Sequence, residues 1–267
     1  MEFIPQHHLK PYSLLNYPEL YSSLDRDGYL FLPDLIFPCW LKSYNHLSFT
    51  SSIHRLLQSN STFSSSSLTY NQFISGSFID IRGDNHVDIG MTDISNPFDS
   101  RNPDLNTILE QANLKNPYTE LRKTFDLFFL QHNLFYSHSN LYLYSNVFNP
   151  RAFHVDSSKP HFKVFLNLLP LNNTDGPYSF CPHSHKSRLR RPLSRLLAFA
   201  GSYLFPYIHD NDMLFFSSTS YVNFIAMPGD VIVTNQSGAH GDAIPSFRSA
   251  GVYKSSIVLN YTMKKRP

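Results

Sequence analysis

The spacing of apolar residues changes character about halfway along the chain, helical before residue 134 and alternating after it. The clearest helix covers residues 117–132, where Leu121, Phe125, Phe128 and Phe129 recur at intervals of three and four. A second, at 38–58, sets Trp40, Leu41, Tyr44 and Leu47 on one side, and 102–113 reads as a short capped helix. Residues 59–67 form a serine-rich run with no period, which predicts a loop. DRDGYLFLPDL, at 25–35, predicts a turn and then a short strand closed by Pro33, and 77–91 reads as extended. From 134 to 149, LFYSHSNLYLYSNVFN alternates apolar and polar residues before Pro150. Shorter strand patterns follow at 162–169, 178–181, 212–216, 224–227, 230–235 and 255–262, with a helical insert at 193–207. Helices early and short strands late predict a mainly β fold with flanking helices, a sandwich or barrel buttressed from the N-terminal side. No repeat or linker divides the chain. Residues 1–267 therefore read as one domain, with 1–133 packing on a core formed by 134–267.

Composition narrows the class. At 267 residues, 42% hydrophobic and 15% aromatic, the chain can bury a substantial aromatic-rich core. Only 16% of residues are charged and the formal net charge is +2, which gives no reason to expect nucleic acid or an acidic membrane as partner. The basic cluster at 186–191 and the tail 264–266 read as a solvated loop and end, with a site attracting an anionic substrate as the alternative for the first. Cys39 and Cys181 are too few for a disulfide framework and too far apart for a metal knuckle. The start has neither the basic nor the apolar region of a secretory signal, and no apolar run reaches membrane-spanning length. These features predict a soluble, cytoplasmic protein; they carry no signal for oligomeric state.

Candidate chemistry concentrates in 153–186, FHVDSSKPHFKVFLNLLPLNNTDGPYSFCPHSHK, and in the stretch from Pro228-Gly229-Asp230 to His240. A His-x-Asp triplet carries little weight alone, since with 13 histidines about one is expected by chance. Such triplets occur at 86–88, 154–156 and 240–242, and context has to choose among them. On an extended strand, residues i and i+2 project from one face. A His-x-Asp at a strand end can thus offer a nitrogen and an oxygen to one metal, with a third ligand from a neighbouring strand. His154-Val155-Asp156 has that setting, with a strand before it, a polar loop after it, and a new strand from Phe162. His240 follows the run 230–235 and its Pro-Gly-Asp turn. His86 and Asp88 lack a comparable following strand and remain the alternative pair. Asp242 is assigned to the loop beyond His240. Two imidazoles and one carboxylate suit iron(II) that keeps open positions for a cosubstrate and dioxygen.

The chain resembles the phytanoyl-CoA dioxygenase family of iron(II)- and 2-oxoglutarate-dependent oxygenases. The resemblance rests on DGYLFLPDL (27–35), FHVD (153–156), FKVFLNL (162–168), GPYSFCPHSHK (176–186), PGDVIV (228–233) and the His240 region, in the family's order and spacing. It implies a double-stranded β-helix (jelly-roll, cupin-like) core holding iron(II) through His154, Asp156 and His240. It also implies 2-oxoglutarate as cosubstrate with O2, and hydroxylation of an unactivated C–H bond of a small-molecule substrate with release of succinate and CO2. Asp156 argues against halogenation, because halogenating relatives lack that carboxylate. One departure is His183, where the family usually has glycine.

In relatives, a basic residue on the strand after the second histidine binds the distal carboxylate of 2-oxoglutarate. Two candidates fit. Counting from His240 favours Arg248; aligning the final strand favours Lys254, which is preferred, with Ser256 at i+2 on the same face. Lys163, flanked by Phe162 and Phe165 on a core-like strand, is a further possible carboxylate contact, or else a barrel-edge lysine reaching outward. Tyr144, Asn146, Phe165 and Phe180 are candidate lining residues. His183 and His185 read as structural or solvent-facing. Two rival functions remain: a catalytically silent jelly-roll scaffold, and a cupin-type metalloenzyme that does not use 2-oxoglutarate.

Overall fold

A computed structural model of the chain describes residues 18–36, 41, 44–59, 69–74, 77–82, 86–91, 107, 109–147, 155–156, 160–186, 221–242 and 252–263. Its helices are α1 (Pro18–Asp27), α2 (His46–Ser59) and α3 (Lys115–Leu130). The strands are β1 (Tyr29–Leu32), β2 (Thr69–Ile74), β3 (Ser77–Arg82), β4 (His86–Met91), β5 (Phe135–Val147) and β6 (His161–Asn167). They continue with β7 (Tyr178–Phe180), β8 (Val222–Asn223), β9 (Val231–Asn235), β10 (His240–Asp242) and β11 (Val252–Thr262). Eight strands form one antiparallel sheet in the order β1-β9-β6-β11-β5-β4-β3-β2, and three form a second in the order β10-β7-β8. Among the described residues, no helix is long and apolar enough to cross a membrane.

Strand β6 shows how the large sheet acquires two different faces. Phe162, Val164 and Leu166 enter one core cluster and Phe165 enters another, as side chains alternate along the strand. Strands β9 and β11 repeat the pattern: Val231, Val233, Ile257, Leu259 and Tyr261 go to the first cluster, Ile232 and Val258 to the second. Helices cover the first face, with Leu20 and Leu24 of α1 and Leu121, Phe125, Phe128 and Phe129 of α3 in the same cluster. The Phe129 ring lies 4.6 Å from that of Tyr261, whose hydroxyl donates to Asp126 Oδ1 at 2.8 Å, so α3 is anchored by packing and by one directed bond. The small sheet covers the second face, contributing Phe180, with Phe224 beside it and Tyr29, Tyr142 and Tyr178 packed around them. Lys163, Thr234, Lys254 and Ser256 share that second, inner face by parity.

Two turns fix how the chain enters these layers. Asn133 takes a left-handed φ of 56°, and the Leu134 and Asn133 amides donate to the Phe129 and Leu130 carbonyls. This Schellman ending turns α3 directly into β5. Gly28, at φ 87°, joins α1 to β1, and a Cβ there would lie 2.5 Å from His185 Nδ1. Glycine is required at this position by both conformation and space.

The helix expected at 117–132 and the strand expected at 134–149 are α3 and β5, and β1, β6, β7, β9 and β11 overlap their expected spans. Three expectations are corrected. Residues 224–227 are not a strand: β8 is Val222–Asn223, and Ala226 makes only an isolated bridge to Leu171. His86 and Asp88 do not lack sheet partners, because β4 pairs with both β3 and β5. Asp242 is not in a loop but ends β10. Helix α1 and strand β2 were not expected at all. The spans 193–207 and 212–216 lie outside the described residues, as do 60–67 of the expected loop.

Candidate functional site

The inner face of the large sheet and the edge strand β10 bring together most of the described candidates. Residues after β9 turn through Gln236 and Ser237 and re-enter as β10, with His240 opposite Phe180 and Asp242 opposite Tyr178. The segment 155–156 runs alongside that turn: the Asp156 amide donates to the Gln236 carbonyl at 3.2 Å, and the Gln236 amide to the His161 carbonyl at 2.6 Å. These bonds carry the Asp156 carboxylate to the His240 ring, with Oδ2 and Nε2 3.6 Å apart. The His240 side chain is 3% exposed and that of Asp156 16%, so the pair lies at the solvent side of a buried site.

One hydrogen bond fixes the orientation of the His240 ring. Its Nδ1 lies 2.9 Å from the Gly238 carbonyl oxygen, which can only accept, so Nδ1 carries a proton and Nε2 is the nitrogen turned toward Asp156. The Tyr178 ring stacks on the imidazole at 5.8 Å between centroids. Burial pushes the Tyr178 phenol well above its ordinary range, although hydrogen bonds with Thr234 Oγ1 (3.1 Å) and from Gln236 Nε2 (3.2 Å) work the other way. Tyr178 is therefore a neutral hydroxyl at any working pH.

This donor pair fits a first-row divalent ion. Taking zinc's bond lengths of about 2.1 Å to nitrogen and to oxygen, two ligands on one ion lie no more than about 4.2 Å apart; 3.6 Å is within that reach and outside ordinary hydrogen-bond range. A carbonyl that orients the far nitrogen of a ligating histidine is a usual accompaniment of such sites. Among the described residues no three His, Cys, Asp or Glu side chains converge. His154, the third expected ligand, lies outside them, as does Arg248.

Both candidate lysines of the inner face are already paired. Lys163 Nζ donates to Asp156 Oδ2 at 2.6 Å, with its side chain 10% exposed, so the outward-reaching alternative is overturned. Burying an ammonium on the inner face requires an anion, and Asp156 supplies it. Lys254 lies in β11 on the same face, 5.4 Å from the centre of the Tyr144 ring, and donates to Asp242 Oδ1 at 2.7 Å. Ser256 follows on that face, two residues along β11. Phe165 and Phe180 belong to the inner cluster, whereas the Asn146 side chain lies outside the described set. His183 adopts φ 62°, the left-handed conformation that glycine takes most readily, and its Nδ1 bonds to the Arg26 carbonyl at 2.9 Å. His185 is buried, with Nε2 on the Asp25 carbonyl at 2.8 Å. Both histidines fasten the 181–186 loop to the end of α1 and stay structural.

Tyr178, Thr234, Gln236 and Asp242 join the candidate site without having stood out in the sequence. Asp242 carried a usable signal: it stands at i+2 from His240, the same one-face rule applied to His154 and Asp156. Tyr178, Thr234 and Gln236 are joined only by the antiparallel return of the chain, which no local pattern marks.

No family model matches the chain, and no curated protein matches it. Solved structures do. The non-heme α-ketoglutarate-dependent epimerase SnoN from nogalamycin biosynthesis superposes with a TM-score of 0.50 at 13% identity, covering 93% of this chain and 83% of SnoN. The chain shares their fold, SnoN's and its relatives'. AviO1 from Streptomyces viridochromogenes Tue57 matches with a TM-score of 0.50 at 15% identity, over 92% of this chain and 94% of AviO1. The α-ketoglutarate-dependent carbocyclase SnoK, also from nogalamycin biosynthesis, matches with a TM-score of 0.50 at 12% identity, over 91% of this chain and 83% of SnoK. At such identities the likeness is one of architecture: a mainly β chain with a few helices, built as non-heme α-ketoglutarate-dependent enzymes are built.

Proposed function

We propose that the chain is an iron(II)- and 2-oxoglutarate-dependent oxygenase of the phytanoyl-CoA dioxygenase type that hydroxylates a small molecule. On this reading residues 1–267 act as one jelly-roll unit. The observation that carries it is the His240–Asp156 pair: an imidazole nitrogen and a carboxylate oxygen 3.6 Å apart, between two sheets of a fold shared with α-ketoglutarate-dependent enzymes. His154, two residues before Asp156, would complete a two-histidine, one-carboxylate set of the kind that holds iron(II) with open positions. Iron(II) held there, with 2-oxoglutarate and dioxygen, would supply oxidation of an unactivated C–H bond coupled to release of succinate and CO2. SnoN has been solved in complex with Fe3+, α-ketoglutarate and nogalamycin RO, which supports both the metal and a small-molecule substrate.

The chain's own residues have definable tasks in this reading. Gly238 orients His240, and the Tyr178 ring fixes the imidazole plane. Lys163 neutralises Asp156 and orients its carboxylate. The aromatic cluster of Phe165, Phe180, Phe224 and Tyr178 keeps bulk water from one side of the site.

Anaerobic titration of the full chain with iron(II) or cobalt(II) tests the assignment. His154→Ala, Asp156→Ala and His240→Ala each weaken metal binding by more than about 100-fold, beyond the roughly 10–100-fold that loss of a supporting hydrogen bond costs. Folding, followed by circular dichroism, stays unchanged. Retained metal in Asp156→Ala together with loss in His86→Ala would overturn the assignment. Succinate formation from 2-oxoglutarate then separates the oxygenase from a silent scaffold and from a cupin that ignores the oxo acid. SnoN and SnoK are named as epimerase and carbocyclase, so mass spectrometry of the product must show one added oxygen atom to establish hydroxylation here.

A further inference from the structure

The cation expected to receive 2-oxoglutarate's distal carboxylate already holds a carboxylate of the chain. Lys254 and Asp242 are paired at 2.7 Å with side chains 7% and 9% exposed, so water screens the pair little. Asp242 lies two residues beyond His240 on the three-residue strand β10, so the two side chains leave the same face. Its Oδ1 takes the lysine, while its Oδ2 is buried with no hydrogen-bond partner among the described residues. An unpartnered carboxylate oxygen is costly in such a place, and a purely structural ion pair would normally satisfy both oxygens. The other described cation of the inner face, Lys163, is bound to Asp156 and cannot replace Lys254 without leaving it.

From this arrangement we infer that Asp242 is a specificity-determining residue for the cosubstrate, a built-in carboxylate that competes with the distal carboxylate of a 2-oxo dicarboxylic acid for Lys254. The inference rests on the oxygenase reading above. A second carboxylate can reach the Lys254 ammonium only if Asp242 withdraws or if two buried anions share one cation, and like charges brought together in an interior repel strongly. The chain therefore binds 2-oxoglutarate weakly for its class and discriminates poorly between it and a 2-oxo acid that lacks the distal carboxylate. Replacing Asp242 by its neutral isostere frees Lys254 for the cosubstrate and restores the discrimination.

Anaerobic isothermal titration calorimetry of the cobalt(II)-loaded full chain, with 2-oxoglutarate and with 2-oxopentanoate, measures both affinities without turnover. The parent prefers 2-oxoglutarate by less than about tenfold, and Asp242→Asn tightens 2-oxoglutarate binding by about tenfold or more while leaving 2-oxopentanoate unchanged. Lys254→Met in the parent leaves the ratio of the two affinities near its starting value. A parent that already prefers 2-oxoglutarate by more than about 100-fold overturns the inference, even if the Asn variant fails to fold. Asp242→Asn binding 2-oxoglutarate no better than the parent overturns it as well. If metal-loaded parent and variant bind neither acid, the oxygenase reading falls and the inference with it; if both acids bind and the variant changes nothing, only the inference falls.

Discussion

At the scale of single residues, the loop that carries Phe180 to Lys186 is shaped by what cannot be changed beside it. A Cβ on Gly28 would sit 2.5 Å from His185 Nδ1 and 2.8 Å from two atoms of the Phe180 ring, at a φ of 87° that L-residues avoid. Strain of about 1–2 kcal/mol for the left-handed conformation adds to about 1–3 kcal/mol for overpacking, so Gly28→Ala costs about 2–5 kcal/mol in urea unfolding. A cost below about 0.5 kcal/mol, the size of an ordinary surface change, would contradict this packing. Gly28 was legible in the sequence as the turn of DRDGYLF, but its crowding was not, because His185 and Phe180 arrive from far along the chain. The same limit governed the charges. Lys163 and Lys254 could be singled out as lysines on apolar strands, yet their aspartate partners depend on how β10 and the 155–156 segment fold back.

Elements were legible in proportion to their apolar density. Helix α3 brings four large apolar residues to one face and was readable; α1 rests on Leu20 and Leu24 within PELYSSLDRD and was not. Strand β10, HGD, has no apolar residue and is a strand only because β7 pairs with it. Helix α2 illustrates an element whose attachment depends on pH. His46 begins it, buried beneath the sheet, while neighbouring Tyr44 bonds Ser255 Oγ of β11 at 2.6 Å. Burial lowers the His46 pKa below its ordinary 6.5, outweighing the hydrogen bond with the Tyr144 backbone. A positive charge at a helix N-terminus is unfavourable as well. The folded chain thus binds fewer protons here than the unfolded one, so this contribution to stability is fully present above pH 6.5 and is lost as pH falls below it. His46→Gln should flatten the loss of melting temperature between neutral pH and pH 5 relative to the parent; an unchanged slope would assign that loss to other histidines.

For the whole molecule, the division into helices before and strands after residue 134 was visible in the sequence, but the sheet does not respect it. Strands β1 to β4, all from the first half, pair with β9 at one edge and β5 at the other, because backbone pairing completes a sheet regardless of chain order. The candidate site inherits this architecture: Asp156 is held by the turn that leaves β9 of the large sheet, and His240 belongs to β10 of the small one. An ion shared by these two side chains, as proposed above, would tie the sheets together and bind only the folded chain with full affinity. At free metal 100 times the dissociation constant, that linkage is worth about 2.7 kcal/mol, or roughly 5–10 °C in melting temperature for a chain of this size. Thirteen histidines let the unfolded chain hold some metal too, which reduces the absolute shift. The discriminating quantity is therefore the difference between parent and His240→Ala, each melted with cobalt(II) and with excess chelator. The parent should gain several degrees that the chelator removes, while the variant gains little. Equal shifts in the two proteins would place the stabilising ion elsewhere, since the variant lacks the only imidazole that the described structure sets beside Asp156.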